Sequence, residues 1–344
     1  MTTATLVLPA TESTAARRRA DYADLKQRVR AAGLLELQPR YYALKTAVML
    51  AVFAALFAFA MLADGWLRLV VAAPVGVMFT QLGLLGHDFQ HRQIVRRRNL
   101  LTYGGVALGN LLIGVSASWW AGKHNAHHGS PNQLGADPDI EFPMLVFAEE
   151  QIVEKPRFLR PVIAHQARLF FVLTAFHALN MRVEAVRHVV FGRPNHPWLE
   201  RVTLVGHYAL FGLVFATFGW PIALVFFAIS QATSGIYNGL VFAPNHKGMP
   251  TFARDDEVDF LSLQVLTSRN VHGHPLTDFA YGGLNYQIEH HLFPTMPRNN
   301  LHRAQPIVRA FCEERGLSYA DTSVLGALRA IFGHLHRVSA SLRA

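Results

Sequence analysis

Cysteine and charge are what this chain has least of. A single cysteine, Cys312, stands among 344 residues. One thiol makes no intramolecular disulfide and cannot assemble a cysteine-ligated zinc or iron–sulfur site. Charged residues reach 16%, against about 25% in ordinary soluble domains. They are also clustered, so long stretches carry none. Apolar residues reach 51%, with 24 phenylalanines. That is the pattern of helices whose solvent is lipid. A secretory leader is missing too: the first 30 residues have no long apolar core behind a basic start. They read as a disordered lead followed by a polar helix of about 20 residues. Internal repeats, low-complexity linkers and nucleic-acid motifs are also missing. The net charge of +9 flanks the apolar blocks, so it reads as membrane orientation charge rather than a nucleic-acid surface.

What the chain does have is four apolar blocks of the length a bilayer crossing needs, about 20 residues. They lie at about 44–63, 66–86, 202–219 and 222–243. Only Asp64 and Gly65 separate the first two, and Trp220–Pro221 divides the last two, which predicts two helical hairpins. Basic residues precede the first block (Arg17, Arg18, Arg19, Arg28, Arg30, Arg40, Lys45) and follow the second (Arg92, Arg96, Arg97, Arg98). The positive-inside rule puts both flanks in the cytoplasm, with Arg68 at the outer turn snorkelling to the headgroups. Residues 100–120 are long enough to span but glycine-rich. Residues 169–181 are too short and are bracketed by Arg168 and Arg182, so they read as interfacial or packed against the cytoplasmic part. The tail, "VLGALRAIFGHLHRVSASLRA", reads as a basic amphipathic surface helix, with membrane contact as the alternative. The expectation is an all-α integral membrane protein. Residues 1–40 form a cytoplasmic segment, 41–320 the membrane domain and 321–344 the C-terminal helix.

Histidine is abundant, with 18 residues, and three clusters stand out. "HDFQH" sets His87 and His91 one helical turn apart on one face. "HNAHH" puts His124, His127 and His128 within about 100° of helical arc. "QIEHH" repeats the offsets of the second cluster with Gln287, His290 and His291. Crowded imidazoles of this kind need something positive to share, and without cysteine a transition-metal site must be imidazole-based. Seven histidines exceed the needs of one ion, so two ions are the natural reading. His246 in "APNHKG" follows the fourth block and is placed to be an eighth ligand. His272 and His274 in "NVHGHP" could replace or supplement it. Asp88 and Glu289 sit inside the clusters as candidate groups behind the ligands. The other eight histidines (His165, His177, His188, His196, His207, His302, His334 and His336) lack partner spacing and read as surface or packing residues. Imidazole alone does not choose between zinc, iron, copper and nickel.

Parity constrains the layout. Two spans precede His87 and two lie between His128 and His290, so all three clusters face one side only if residues 100–120 do not cross. That segment is therefore expected to be re-entrant or interfacial, with its backbone groups satisfied.

These residues resemble the membrane fatty acid desaturase family. "HDFQH", "HNAHH" and "QIEHH" match its three histidine boxes in order and spacing, and "GGLNYQIEHHLFPTMP" and "ADPDIE" also look like that family. The resemblance covers roughly residues 40–320, and Gln287 looks like the front-end and bacterial acyl desaturase subgroup. It implies a pair of iron ions held by His87, His91, His124, His127, His128, His246, His290 and His291, with Gln287 and Asn245 behind them. It also implies O2 as co-substrate and a cis double bond formed between adjacent methylenes of an acyl-CoA or acyl lipid. The chain has no His-Pro-Gly-Gly haem motif. The expected electron donor is therefore a separate ferredoxin or flavin reductase. The expected partners are the acyl substrate, the lipid bilayer and that donor, and no nucleic acid. The termini and metal site are expected in the cytoplasm. A related hydroxylase or other oxygenase acting on lipid or hydrocarbon is the nearest alternative. A metal transporter is remoter, because its ligands would lie inside the spans, whereas these boxes lie beyond the span ends.

Overall fold

A computed structural model describes residues 12–343, so the lead expected to be disordered lies outside the described residues. The chain opens with α1 (Glu12–Ala31), a polar helix of 20 residues. Two long apolar helices follow: α2 (Pro39–Leu62) and α3 (Ala72–Gln90), the latter entered through a tight 3₁₀ turn at Gly65–Val71. Next come α4 (Arg98–Val106), a π-helical turn at Ala107–Ile113 and α5 (Ala117–Gly129). Three short helices lead on: α6 (Gln151–Glu154), α7 (Arg160–Ala164) and α8 (Gln166–Ala175). Then α9 (His177–Phe191) precedes the second pair of long apolar helices, α10 (Pro197–Phe218) and α11 (Trp220–His246). The remainder is α12 (Phe260–Leu266), β1 (Asn270–Val271), α13 (Pro275–Tyr281), α14 (Gln287–Leu292), α15 (Arg298–Glu314), β2 (Asp321–Thr322) and α16 (Val324–Val338). The structure is thus helical apart from β1 and β2, a two-residue parallel pair not anticipated from the sequence, and one isolated bridge, Gln133 to Phe252.

Among the described residues four single helical stretches are long and apolar enough to cross a membrane: 39–62, 65–90, 197–218 and 220–246. They match the four expected blocks, and α11 runs three residues further, through Pro244 to His246. Only 11% of the most apolar window of α2 is buried within the chain, and Leu44, Val48, Leu62, Trp66, Val202, Val205 and Trp220 are exposed. So much uncovered apolar surface suits lipid contact. Inward-facing residues on the four stretches, Ala60, Val75, Phe79, Val214, Phe218 and Phe226 among them, form one core. A second core lies beyond the span ends, where Leu25 and Val29 of α1 meet Leu261, Ile288, Leu292, Leu301 and Phe311. There the Tyr22 hydroxyl donates to the Leu292 carbonyl at 2.8 Å, bracing α14.

Two helix pairs are bent. The segment 98–113 meets α5 at 106°, and α8 meets α9 at 57°. The sharper bend turns at Gly114, whose φ of 78° lies in the left-handed region that a side chain would resist. Residues 166–191 therefore form two helices, longer than the single short segment expected, and α8 packs on α11 and α16. The apolar stripe of α16, Ala327, Ile331 and Leu335, is buried, so α8 and α11 take up the face that a membrane would otherwise contact.

The helices α3 and α11 pack closely at Gly76. A Cβ on Gly76 would collide with the Ser230 carbonyl and sit 2.8 Å from the Thr233 Cβ. Gly76→Ala should therefore cost about 1–3 kcal/mol by overpacking. Gly212→Ala, where nothing lies within 4 Å, should stay within about 0.5 kcal/mol. Thermal unfolding of both variants in detergent checks the contrast, and equal melting would contradict close packing at Gly76.

Candidate metal centre

All three boxes and His246 converge at one end of the long helices. His87 lies at the end of α3, and His91 caps it. The second box lies on α5, the third is α14, and His246 ends α11. Their imidazoles form two adjacent groups. His87, His91, His124, His128 and His290 make one, and His127, His246 and His291 the other. The second box was expected to point one way. Instead His127 and His128, about 100° apart on the helix, enter different groups, and His290 and His291 divide in the same manner.

In the larger group neighbouring Nε2 atoms face each other. The separations are 3.2 Å for His87–His290, 2.8 Å for His91–His124, 3.0 Å for His124–His128 and 3.2 Å for His128–His290. In the smaller, His127 Nε2 lies 3.3 Å from His246 Nε2. The outward nitrogens explain what the inward ones carry. His127 Nδ1 lies 3.0 Å from the Asp137 carboxylate, His246 Nδ1 2.9 Å from the Thr267 carbonyl and His291 Nδ1 2.7 Å from Gln264 Oε1. His87 Nδ1 lies 3.3 Å from Asp88 Oδ1. Each of these acceptors takes an Nδ1 proton, which leaves Nε2 with its lone pair.

His127 and His246 therefore point lone pair at lone pair, which is repulsive unless a cation lies between them. The buried His291 Nε2 has no protein partner. Ligand nitrogens about 2.0–2.1 Å from a metal and at tetrahedral to right angles would sit roughly 2.9–3.4 Å apart, close to the spacings found. The donor set thus fits two metal ions with imidazole ligands.

The expected supporting residues divide. Gln287 Nε2 lies 2.9 Å from His246 Nε2, and Asn245 Nδ2 donates to Gln287 Oε1 at 3.0 Å. Asp88 joins His87 to the Arg298 guanidinium, which also bonds the Leu84 carbonyl. Glu289 departs from expectation: it touches no imidazole and instead bonds Asn270 and Tyr319, each at 2.7 Å. Its side chain leaves α14 on the face opposite the metal groups, and burial raises its pKa to about 7. His272 is exposed and pairs with Asp321 at 3.6 Å, while His274 caps α13. Neither belongs to a group, and none of the other eight unassigned histidines does.

Several contributors escaped the sequence reading: Asp137, Gln264, Thr267, Arg298 and Trp120, which stacks on His124 at 4.2 Å. Asp137 alone had a signal, an acid-rich "ADPDIE" just after the second box.

The chain leaves His91 and returns to it at His124, so the stretch between them turns back on itself.

A cavity opens beside the larger group. It has a volume of about 80 Å³ and is lined by His87 and Trp120 as well as by Phe79, Arg182 and Asn238. Of the 24 phenylalanines only Phe79 and Phe242 line it.

Burial first, then repulsion between neighbouring imidazoles, holds His91, His290 and His291 well below the usual histidine pKa. In the unfolded chain these groups titrate near about 6.5. With the folded pKa depressed, the metal-free protein keeps this stability above about pH 6.5 and loses it as the pH falls and the unfolded state binds protons. Its melting temperature should drop from about pH 8 to about pH 5. A rise over that range would contradict a neutral cluster.

The comparisons with known proteins agree with this geometry. The fatty acid desaturase family model matches residues 64–323. The acyl-lipid (9-3)-desaturase of Physcomitrium patens is 35% identical over 301 residues, which cover 83% of this chain and 56% of that enzyme. The Delta(6)-fatty-acid desaturase fat-3 of Caenorhabditis elegans is 33% identical, over 86% of this chain and 69% of that enzyme. Fatty acid desaturase 3 of Bos taurus is 31% identical, over 90% and 70%. The chain thus spans little more than half the length of the moss enzyme. The match takes in the long apolar helices from Gly65 onward and every histidine of both groups, and on that ground the chain belongs to the fatty acid desaturase family.

Proposed function

We propose that this chain is a multi-pass membrane desaturase that introduces a cis double bond into an acyl-CoA or acyl lipid. The observation that carries this reading is the facing of imidazole lone pairs in two adjacent groups at the end of an apolar cavity. The overall change joins two adjacent methylenes, one O2, two electrons and two protons, and yields one alkene and two waters. The electrons would come from a separate ferredoxin or flavin reductase.

An unactivated methylene has no acidic proton, so side-chain acids and bases cannot begin the reaction. A bound pair of iron ions would supply the redox chemistry that uses O2 to take both hydrogens. His87, His91, His124, His128 and His290 would hold one ion, and His127, His246 and His291 the other. Asp88, Asp137, Gln264 and the Thr267 carbonyl keep protons on Nδ1 and so keep Nε2 available as a ligand. Gln287, fixed by Asn245, borders the smaller group and limits what else enters it. Trp120 fixes the plane of His124 and also lines the cavity. Phe79, Ile113, Val115 and Phe242 give the cavity apolar walls, which suit an acyl chain and exclude water from the reacting carbons. Four crossings, with the basic flanks and both histidine groups on the cytoplasmic side, complete the reading.

Expression in a host with a defined lipid composition, followed by fatty acid profiling and metal analysis, tests it. A new double bond and two irons per chain are expected, with both product and one or more irons lost in His290→Ala. Asp137→Ala should lower activity about 10–100-fold through metal affinity. One zinc and unchanged lipids would reject the reading, and a hydroxylated acyl product would move it to the hydroxylases of the same scaffold.

A further inference from the structure

We propose that the cavity beside the larger histidine group ends in a recognition site where Arg182 holds a carbonyl or carboxylate oxygen of the acyl chain. The identity of the ligand rests on the desaturase reading. The site itself rests on an unpaired cation. Arg182 lies on α9 and is 3% exposed. Its Nη1 donates to the Ala178 carbonyl of its own helix at 3.1 Å. Nε and Nη2 are buried without a partner. Among the described residues no carboxylate pairs with it. The Phe79 ring lies 5.1 Å away, its one cation–π contact among the described residues.

The guanidinium stays charged at any physiological pH. Burying it unpaired in an apolar bundle is costly, and such residues mark ligand paths rather than packing. Arg182 lines the cavity with Thr80, Ser234 and Asn238, all uncharged. The Thr80 hydroxyl is already engaged by Ser234. The Nε and Nη2 donors, left without a protein acceptor, fit one carbonyl oxygen, or a carboxylate held by both oxygens.

The position relative to the histidines gives the site its consequence. Thr80, which shares this end of the cavity, lies seven residues before His87 on α3, about 10 Å along the axis. An oxygen fixed at Arg182 would leave a run of methylenes reaching back to His87, so the site would count carbons to the reacting pair. The depth is also suitable. Counted from Gly65, a hydrocarbon layer of about 30 Å ends near Leu82. Phe79 and Thr80 lie within one helical turn of Leu82, at the depth where the ester groups of lipids sit.

Quenching of Trp120 by brominated chains tests this without turnover. The purified protein in detergent is titrated with 9,10-dibromostearate, its methyl ester and 9,10-dibromooctadecane, and Trp120→Phe identifies the quenched signal. The acid, the ester or both should bind about tenfold or more tightly than the hydrocarbon. Preference for the acid would identify a free carboxylate as the source, and equal binding of acid and ester an esterified chain. Arg182→Met should remove the preference and leave hydrocarbon binding unchanged, whereas Arg182→Lys should keep part of it. Equal binding of all three probes by the wild-type protein would overturn the inference, even if Arg182→Met fails to fold. It would mean that water alone solvates the guanidinium. It would leave the desaturase reading intact, because lipid profiling decides that separately.

Discussion

Eight imidazoles share so small a volume only if something positive lies between their inward nitrogens. Protonating any one of them would put a cation against several others in a site closed to water. Burial and mutual repulsion keep His91, His290 and His291 neutral, and acceptors around the cluster fix which nitrogen carries the proton. Asp88, Asp137, Gln264 and the Thr267 carbonyl each accept an Nδ1 proton, and the inward nitrogens are left as donors to a metal. The cluster is then a set of unmet attractions whose natural answer is a pair of ions.

The rest of the fold holds those imidazoles in register. Close contact at Gly76 clamps α3 to α11, so His87 and His246 end on the same level. The turn at Gly114 sends the chain back from its π-helical excursion and delivers the second box against the first. Beyond the span ends α1 and α15 close over α14, and Arg298 at the start of α15 ties that layer to Asp88. Gln264 does the same between boxes, because its amide donates to the His128 carbonyl while its oxygen receives His291. The histidine groups are therefore a junction of four separate stretches of chain.

The cavity links this polar junction to the apolar bundle. Its walls ask for a hydrocarbon, while Arg182 asks for oxygen, and an acyl chain is the simple molecule that carries both.

Much of this was legible from residue order. Helix periodicity placed the paired histidines on shared faces, apolar length found the four long helices, and parity required residues 100–120 to turn back. Those features depend on spacing within one segment, which a sequence states directly. The partners of the Nδ1 atoms did not follow. Gln264 and Arg298 are ordinary polar residues whose roles depend on side chains 27 and 210 positions away. Nor did the division into five and three, since adjacent histidines on one helix point about 100° apart and only the packing of α5 against α14 and α11 decides which group each enters. Glu289 shows the same limit: its place inside a histidine box says nothing of the direction in which its side chain leaves the helix. The sequence by itself determined which elements form and which residues carry the chemistry, because local periodicity and hydropathy are written in the chain. Tertiary structure alone decided how the imidazoles are shared and where the unpaired charge lies, because those depend on distances across the fold.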